Sequence, residues 1–355
     1  MLMRYLHYFK RLPMLKKMML IGLSILWIFI ISSCKTIFYG IEQGLGQLHI
    51  VRNAIPVNQV LADSLFPDSL KQRLVLLQQI RQFAMDTLQL NNSDNYTTVY
   101  DQKGEPIVWI VYASEKYRVK PYLWKFPVIG AVPYKGFFKK SKAETEFKKL
   151  EKKGFDVRLG TVQAWSTLGY FKDPVLTGML ERDEGALAEL IIHELTHSTI
   201  YVKSNPELNE NLASYVGKIG AIEYLTSKYG KNSTELKIYV QKQRDNDKFA
   251  MHIVRGAHQL DSLYKTFPEN LAHTKKDSIK EAAINLVIQT LDTINFERYQ
   301  IKSILKTKRF VPNNAFFCSY ITYHNKNLIF EQEYYQKFDG NFATYLSYLK
   351  QKYGK

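Results

Sequence analysis

Two histidines four residues apart, with a glutamate directly after the first, stand in His193-Glu194-Leu195-Thr196-His197. On an α-helix, residues four apart share a face, so both imidazoles can reach one metal ion. Glu194 lies one step round, beside the position a catalytic zinc leaves open, where a carboxylate can activate water. With 8 histidines in 355 residues, a random chain gives this pattern about one time in a hundred. The competing reading is a pair of core histidines satisfied by backbone carbonyls. A catalytic zinc also needs a third protein ligand, and Asn209-Glu210-Asn-Leu-Ala213-Ser214-Tyr215 offers Glu210. The neighbours of Glu210 on its own helix face are Ala213, Ser214 and Gly217, all small. Such a face lets a second helix come close enough for the carboxylate to reach the first. Glu207 is the rival, but its face neighbours Glu210 and Asn211 suit solvent. Otherwise Glu210 is an exposed acid near a helix start, favoured by the helix dipole.

These side chains need elements to hold them. Leu187, Leu190, Ile191, Ile192 and Leu195 make the segment 183–201 apolar nearly all round, which predicts a central helix. Asn205 as cap and Pro206 in the first turn start a second helix over 206–226. Upstream, Leu70, Leu74, Leu77, Ile80 and Phe83 carry helical spacing within 56–90. Residues 95–138 read as strands, as in Val108-Trp-Ile-Val-Tyr112, with turns at Lys103-Gly104 and Pro121. A basic helix over 139–153 stops at Gly154, and a strand follows from Phe155 to about Trp165. Residues 166–174 are loop-like, and 233–308 are Lys/Gln-rich and mostly helical. The chain closes with Pro312-Asn-Asn-Ala315 and further helix. No internal repeat divides it. The expected class is α+β, with a small sheet and many helices.

Composition sets the outer bounds. Apolar residues make up 46% and charged residues 23%, which excludes wholesale disorder and fibrous chains. Two cysteines, Cys34 and Cys318, cannot build a disulfide framework or a four-thiolate zinc site. Cys318, in Ala-Phe-Phe-Cys, reads as a core residue. The net charge of +16 includes Arg4, Lys10, Arg11, Lys16 and Lys17, and without these five it is +11. No nucleic-acid-binding module accompanies the basic excess, so it is assigned to a solvated surface and no nucleic acid is expected. Residues 1–17 are basic and 18–31 form an uncharged apolar run ending in Ile31-Ser-Ser-Cys34. That is the layout of a secretory signal, too short for a full membrane span. Its ending resembles a bacterial lipobox, which implies a lipid on Cys34. The alternative is an uncleaved anchor helix, and both readings hold the protein to a membrane at the cell envelope.

H-E-x-x-H followed by N-E-x-x-A resembles the Glu-zincin metallopeptidases. Only twelve residues separate His197 from Glu210, fewer than in thermolysin-like or large aminopeptidase sequences. A closer resemblance is to a bacterial family of predicted aminopeptidases, many of them lipoproteins. Gly46-Gln-Leu, Ile80-Arg-Gln-Phe-Ala84, Phe126-Pro-Val128, Tyr134-Lys-Gly-Phe-Phe138, residues 166–174, the short-spaced zinc motif and Pro312-Asn-Asn-Ala315 carry it. The resemblance implies a zincin-like fold, with a small twisted sheet packed on the central H-E-x-x-H helix. It divides the chain into a lipoprotein signal (1–33), an N-terminal helical segment (34–94), a catalytic core (95–232) and a helical C-terminal part (233–355).

The implied activity is peptide hydrolysis with Zn2+ held by His193, His197 and Glu210. Glu194 is the general base, and a peptide is the substrate. Related enzymes stabilise the oxyanion with a Tyr or His, for which Tyr323 and Tyr320 are the candidates here. Asn313 and Asn314 suit either substrate backbone or a turn. Residues 166–174 suit either an extended peptide or a structural loop. No segment matches the amine-binding Gly-x-Met-Glu-Asn of the large aminopeptidases, so exopeptidase and endopeptidase action both stay open. A non-catalytic envelope lipoprotein binding zinc is the third reading.

Overall fold

The computed structural model describes residues 13, 38–126, 130–161, 172–203, 205–298, 312–324 and 327–354. Cys34 and the apolar run 18–31 lie outside them, as does most of the segment 166–174. Among the described residues no helix is long and apolar enough to cross a membrane. The chain separates into two units, residues 1–49 and 50–355. In the first, residues 38–49 are helical. Everything below concerns the second.

That unit begins with β1 (Ile55–Pro56), α1 (Val57–Ala62), α2 (Asp68–Asp86), β2 (Thr98–Tyr100), β3 (Trp109–Ser114), β4 (Trp124–Phe126), β5 (Gly130–Val132) and β6 (Tyr134–Phe137). Then follow α3 (Lys140–Glu151), β7 (Asp156–Thr161), β8 (Val175–Leu176), a 3-10 turn (Thr177–Glu181), α4 (Glu184–Thr199), α5 (Pro206–Tyr229), α6 (Thr234–Lys265) and α7 (His273–Gln289). Helices α8 (Asn314–His324), α9 (Asn327–Phe338) and α10 (Phe342–Tyr353) complete it. The class is α+β, dominated by helices with small sheets.

The strands form three sheets. In the first, β2 pairs antiparallel with β1 and parallel with β8, setting Val99 opposite both Ile55 and Val175. In the second, β3 is central and antiparallel to β6 and β7, with Trp109 opposite both Phe137 and Thr161. The third is the pair β4–β5.

Local chemistry explains several boundaries. The helical spacing over 56–90 becomes two helices because Pro67, which lacks an N–H, can only precede a first turn, and α2 starts just after it. Lys103 and Gly104 both hold positive φ, as the expected turn requires (52° and 77°). Helix α3 ends before Gly154, at φ 83°. Asn205 caps α5 by accepting from Leu208 N at 3.2 Å, with Pro206 at its start.

The H-E-x-x-H helix packs chiefly on α2, α5 and α6, with Val99, Val175 and Leu176 of the β1–β2–β8 sheet in the same core. The β3 sheet packs against α3 and α8. A helix apolar nearly all round needs apolar partners on every side, and three amphipathic helices supply more of that surface than one small sheet. Leu187, Ile191 and Leu195 of α4 are fully buried among Leu74, Leu77 and Ile80 of α2 and Val216 and Leu225 of α5. A second cluster gathers Ile253 and Leu260 of α6, Ile284 and Val287 of α7, and Phe316 and Phe317 of α8. Burying each such side chain contributes about 1.5–3 kcal/mol.

Candidate metal centre

Helix α4 opens with Asp183 as its cap, the carboxylate accepting from Ala186 N at 3.0 Å. From there the spacing brings His193 and His197 to one face, their Nε2 atoms 3.2 Å apart. Helix α5 brings Glu210 over that face. Its two carboxylate oxygens lie 3.6 Å from His193 Nε2 and 3.6 Å from His197 Nε2.

Small residues make this approach possible. A Cβ added to Gly217 would meet the Glu189 carbonyl oxygen at 2.8 Å and His193 Cβ at 3.1 Å, and one on Gly220 would meet Ile192 Cγ2 at 2.8 Å. The chain reversal between the helices is pinned by Asn209. Its Oδ1 accepts from Val202 N at 2.8 Å and its Nδ2 donates to Val202 O at 2.9 Å. Asn209 is 4% exposed, and it holds the residue next to Glu210 in place from within the turn. Sequence reading placed Asn209 in the motif without giving it this task.

The donor set fits a metal ion. Tetrahedral ligands about 2.0–2.1 Å from one ion stand about 3.4 Å apart, and the three observed separations of 3.2, 3.6 and 3.6 Å bracket that value. All three ligand atoms lie within 4.8 Å of one another. Burial lowers His197 to about 4, with the neighbouring His193 pushing the same way, so its nitrogen is a free donor at neutral pH. Burial also opposes charge on His193, but Glu210, Glu194 and Glu189 outweigh it and raise its pKa. Burial would raise Glu210, yet the two imidazoles hold it below the usual carboxylate range. Ser214 Oγ stands 3.5 Å from His193 Nδ1.

Glu194, the residue after the first ligand, is 8% exposed. With His193 it lines a cavity of about 510 Å³ that runs toward the start of α4 and is walled on the far side by α6. Against α4 from the core side stands Tyr96, fully buried in a left-handed backbone (φ 64°).

The other sequence candidates lie elsewhere. Asn313 Nδ2 donates to Val157 O at 2.9 Å and its Oδ1 accepts from Phe316 N at 3.3 Å. Asn314, fully buried, donates to Glu115 O and Lys116 O at 3.0 Å and accepts from Tyr264 Oη at 2.9 Å. These side chains tie α8 to β7, α6 and the β3 turn. Tyr320 packs on Phe249 and Phe316. The Tyr323 side chain lies outside the described residues. Cys318 is buried with its thiol pushed up to about 11.

Two further residues carry no motif. Glu189, four before His193, faces the cavity. Only helical arithmetic from His193 points to it. Tyr134, on the edge strand β6, has its hydroxyl pushed up to about 12 by burial and then by the charge of Glu210.

The chain belongs to the family described as putative aminopeptidases, whose model matches residues 38–353. No curated protein and no solved structure matches it.

Proposed function

We propose that the protein is a zinc-dependent peptidase, an aminopeptidase by family, held to a bacterial membrane through a lipid on Cys34. The observation that carries the catalytic part is the convergence of His193, His197 and Glu210 with Glu194 beside them. The crossing of the two helices that carry these residues supports a zincin-like arrangement. Zinc, when bound, supplies a Lewis acid that polarises the scissile carbonyl and lowers the pKa of water.

The protein's own groups do the rest. With an ion bound, His193 and His197 are held as neutral donors, a form that burial already favours for His197, and Glu210 balances the ion's charge. Glu194 takes a proton from the attacking water and returns it to the leaving amine. The developing oxyanion needs a donor, for which Tyr323 and Tyr134 are the candidates, the latter a protonated phenol at neutral pH within the field of Glu210.

The test uses full-length protein and its Glu194→Gln variant, with metal content measured beside hydrolysis of aminoacyl fluorogenic substrates and blocked peptides. The expected result is one zinc in both proteins and a loss of about 10²–10⁴-fold in turnover in the variant. Cleavage of blocked peptides would move it to the endopeptidases. Bound zinc without hydrolysis would favour a binding lipoprotein, and no zinc after reconstitution would overturn the proposal.

A further inference from the structure

The cavity beside Glu194 contains a carboxylate that the zinc chemistry does not use. Glu189 lies one helical turn before His193, about 6 Å along the axis, on the face that looks into the cavity. Its Oε2 accepts from Tyr239 Oη at 3.0 Å and from Gln243 Nε2 at 2.6 Å. Its Oε1 has no hydrogen-bond partner among the described residues, and no Lys or Arg there forms an ion pair with it.

The other charges on the wall are already answered. Asp183 pairs with Lys242 at 2.5 Å. Asp245 accepts from the backbone N–H groups of Glu297 and Arg298 at 2.8 and 2.6 Å. Glu189 is oriented by two neutral donors and has no cation in contact, the positive charges that reach it being those of His193 and Lys218. A largely desolvated carboxylate without a contact ion pair is costly, and a ligand bringing one is correspondingly favoured. Burial raises the Glu189 pKa, with Tyr239, the charge of His193, Gln243 and the charge of Lys218 pulling the other way. Arg182 and Arg298 also face the cavity, so a cation gains only where it meets Glu189 itself.

We propose that Glu189 is a substrate-binding carboxylate that takes an ammonium group of the peptide, with Tyr239 and Gln243 as its positioning residues. This rests on the peptidase reading and deepens it. The ammonium has two sources, the α-amine of the first residue or the side chain of a lysine, and Glu189 recognises the chemistry they share. An α-amine at Glu189 would make the enzyme an exopeptidase by anchoring the chain end beside the base Glu194.

The test is calorimetry on the full-length, zinc-loaded protein with metal-chelating hydroxamates. Leucine hydroxamate is compared with 4-methylpentanohydroxamate, which lacks only the amine. N-acetyl-lysine hydroxamate is compared with N-acetyl-norleucine hydroxamate. One amine-bearing member should bind about 10–100-fold more tightly than its partner, as a charged hydrogen bond contributes. The first pair names the α-amine and the second the lysine side chain. Glu189→Gln should erase that preference while keeping zinc content and a melting temperature at or above that of the wild type, because it removes a buried charge.

Equal affinity within both pairs in the wild type would overturn the role of Glu189 while leaving the zinc centre standing, and this arm requires no variant. A Glu189→Gln protein that keeps the preference would overturn it as well. Failure of every hydroxamate to bind, with no zinc retained, would sink the peptidase reading and this inference with it.

Discussion

The carboxylate of Glu210 stands 3.6 Å from His193 Nε2 with one oxygen and 3.6 Å from His197 Nε2 with the other. Two helices and a turn of six residues produce that symmetry. Helix α4 contributes the two imidazoles by its period alone. Helix α5 must then cross it at a height and distance that its own sequence decides. Asn209 governs the height by pinning the turn, and Gly217 governs the distance by exposing bare backbone at the crossing.

Asn209→Ala should therefore loosen the centre without touching a ligand. It deletes two partly buried hydrogen bonds to the backbone of Val202. The expected cost is about 1–3 kcal/mol of stability. The residue acts on the ligand's orientation, as groups behind metal ligands do, so zinc affinity should fall about 10–100-fold. Competition with a chelating dye would read it. Unchanged affinity in a destabilised variant would show that Asn209 serves the turn alone.

Gly217→Ala sets two known effects against each other. In a helix interior, alanine gains up to about 1 kcal/mol over glycine. Its methyl, however, would sit 2.8 Å from the Glu189 carbonyl and 3.1 Å from His193 Cβ, neither of which can swing aside. Overpacking of that kind costs about 1–3 kcal/mol. Net destabilisation and weaker zinc binding are expected, measured by urea unfolding with and without chelator. A more stable variant would mean that the helices part without loss.

The convergence of these side chains was legible because a helix is a periodic object. His193, Glu194 and His197 follow from spacing, and Glu210 from the small face of Ala213, Ser214 and Gly217. The helix ends were legible for the same local reason, in the Asn205 cap and in Gly154. What encloses α4 was not. An apolar helix states that it must be covered, but its residues do not say whether a sheet or three helices cover it. Glu189 escaped because a lone acid in an apolar helix has no pattern until α6 supplies Tyr239 and Gln243 from fifty residues away. Asn313 and Asn314 show the converse, since turn chemistry and substrate binding use the same amide groups.

The start of α4 should give the protein part of its acid sensitivity. Burial would raise Asp183, but Lys242 and the Ala186 N–H outweigh it and hold its pKa below 3.8. Likewise, burial would raise Glu184, and Lys228 and Tyr229 hold it below 4.5. A depressed carboxylate stabilises the folded state above its unfolded pKa and loses that effect as pH falls through the folded one. Asp183→Asn keeps a capping oxygen and removes only the charge. Its deficit should be small, about 0.2–1 kcal/mol for so exposed a pair. It should be constant from pH 5 to 7 and should shrink away as the pH falls from the ordinary Asp range through the depressed pKa of Asp183. Thermal melts across that range would decide, and a deficit that grows as pH falls would contradict the assignment.

The oxyanion donor divides Tyr134 from Tyr323. Tyr134 sits at the end of the edge strand β6, paired through β3 with Tyr112. About a third of its side chain is open to solvent (37%), while its hydroxyl stays protonated to about pH 12 under burial and the Glu210 charge. A phenol that cannot ionise at working pH is fit to donate a hydrogen bond to a negative oxygen. Tyr134→Phe should lower kcat about 10²–10³-fold with KM nearly constant, the cost of one such donor. Zinc content should not change. Tyr323→Phe measured alongside should leave kcat within a few-fold. If the losses are reversed, the donor comes from α8, and Tyr134 serves only to shield Glu210.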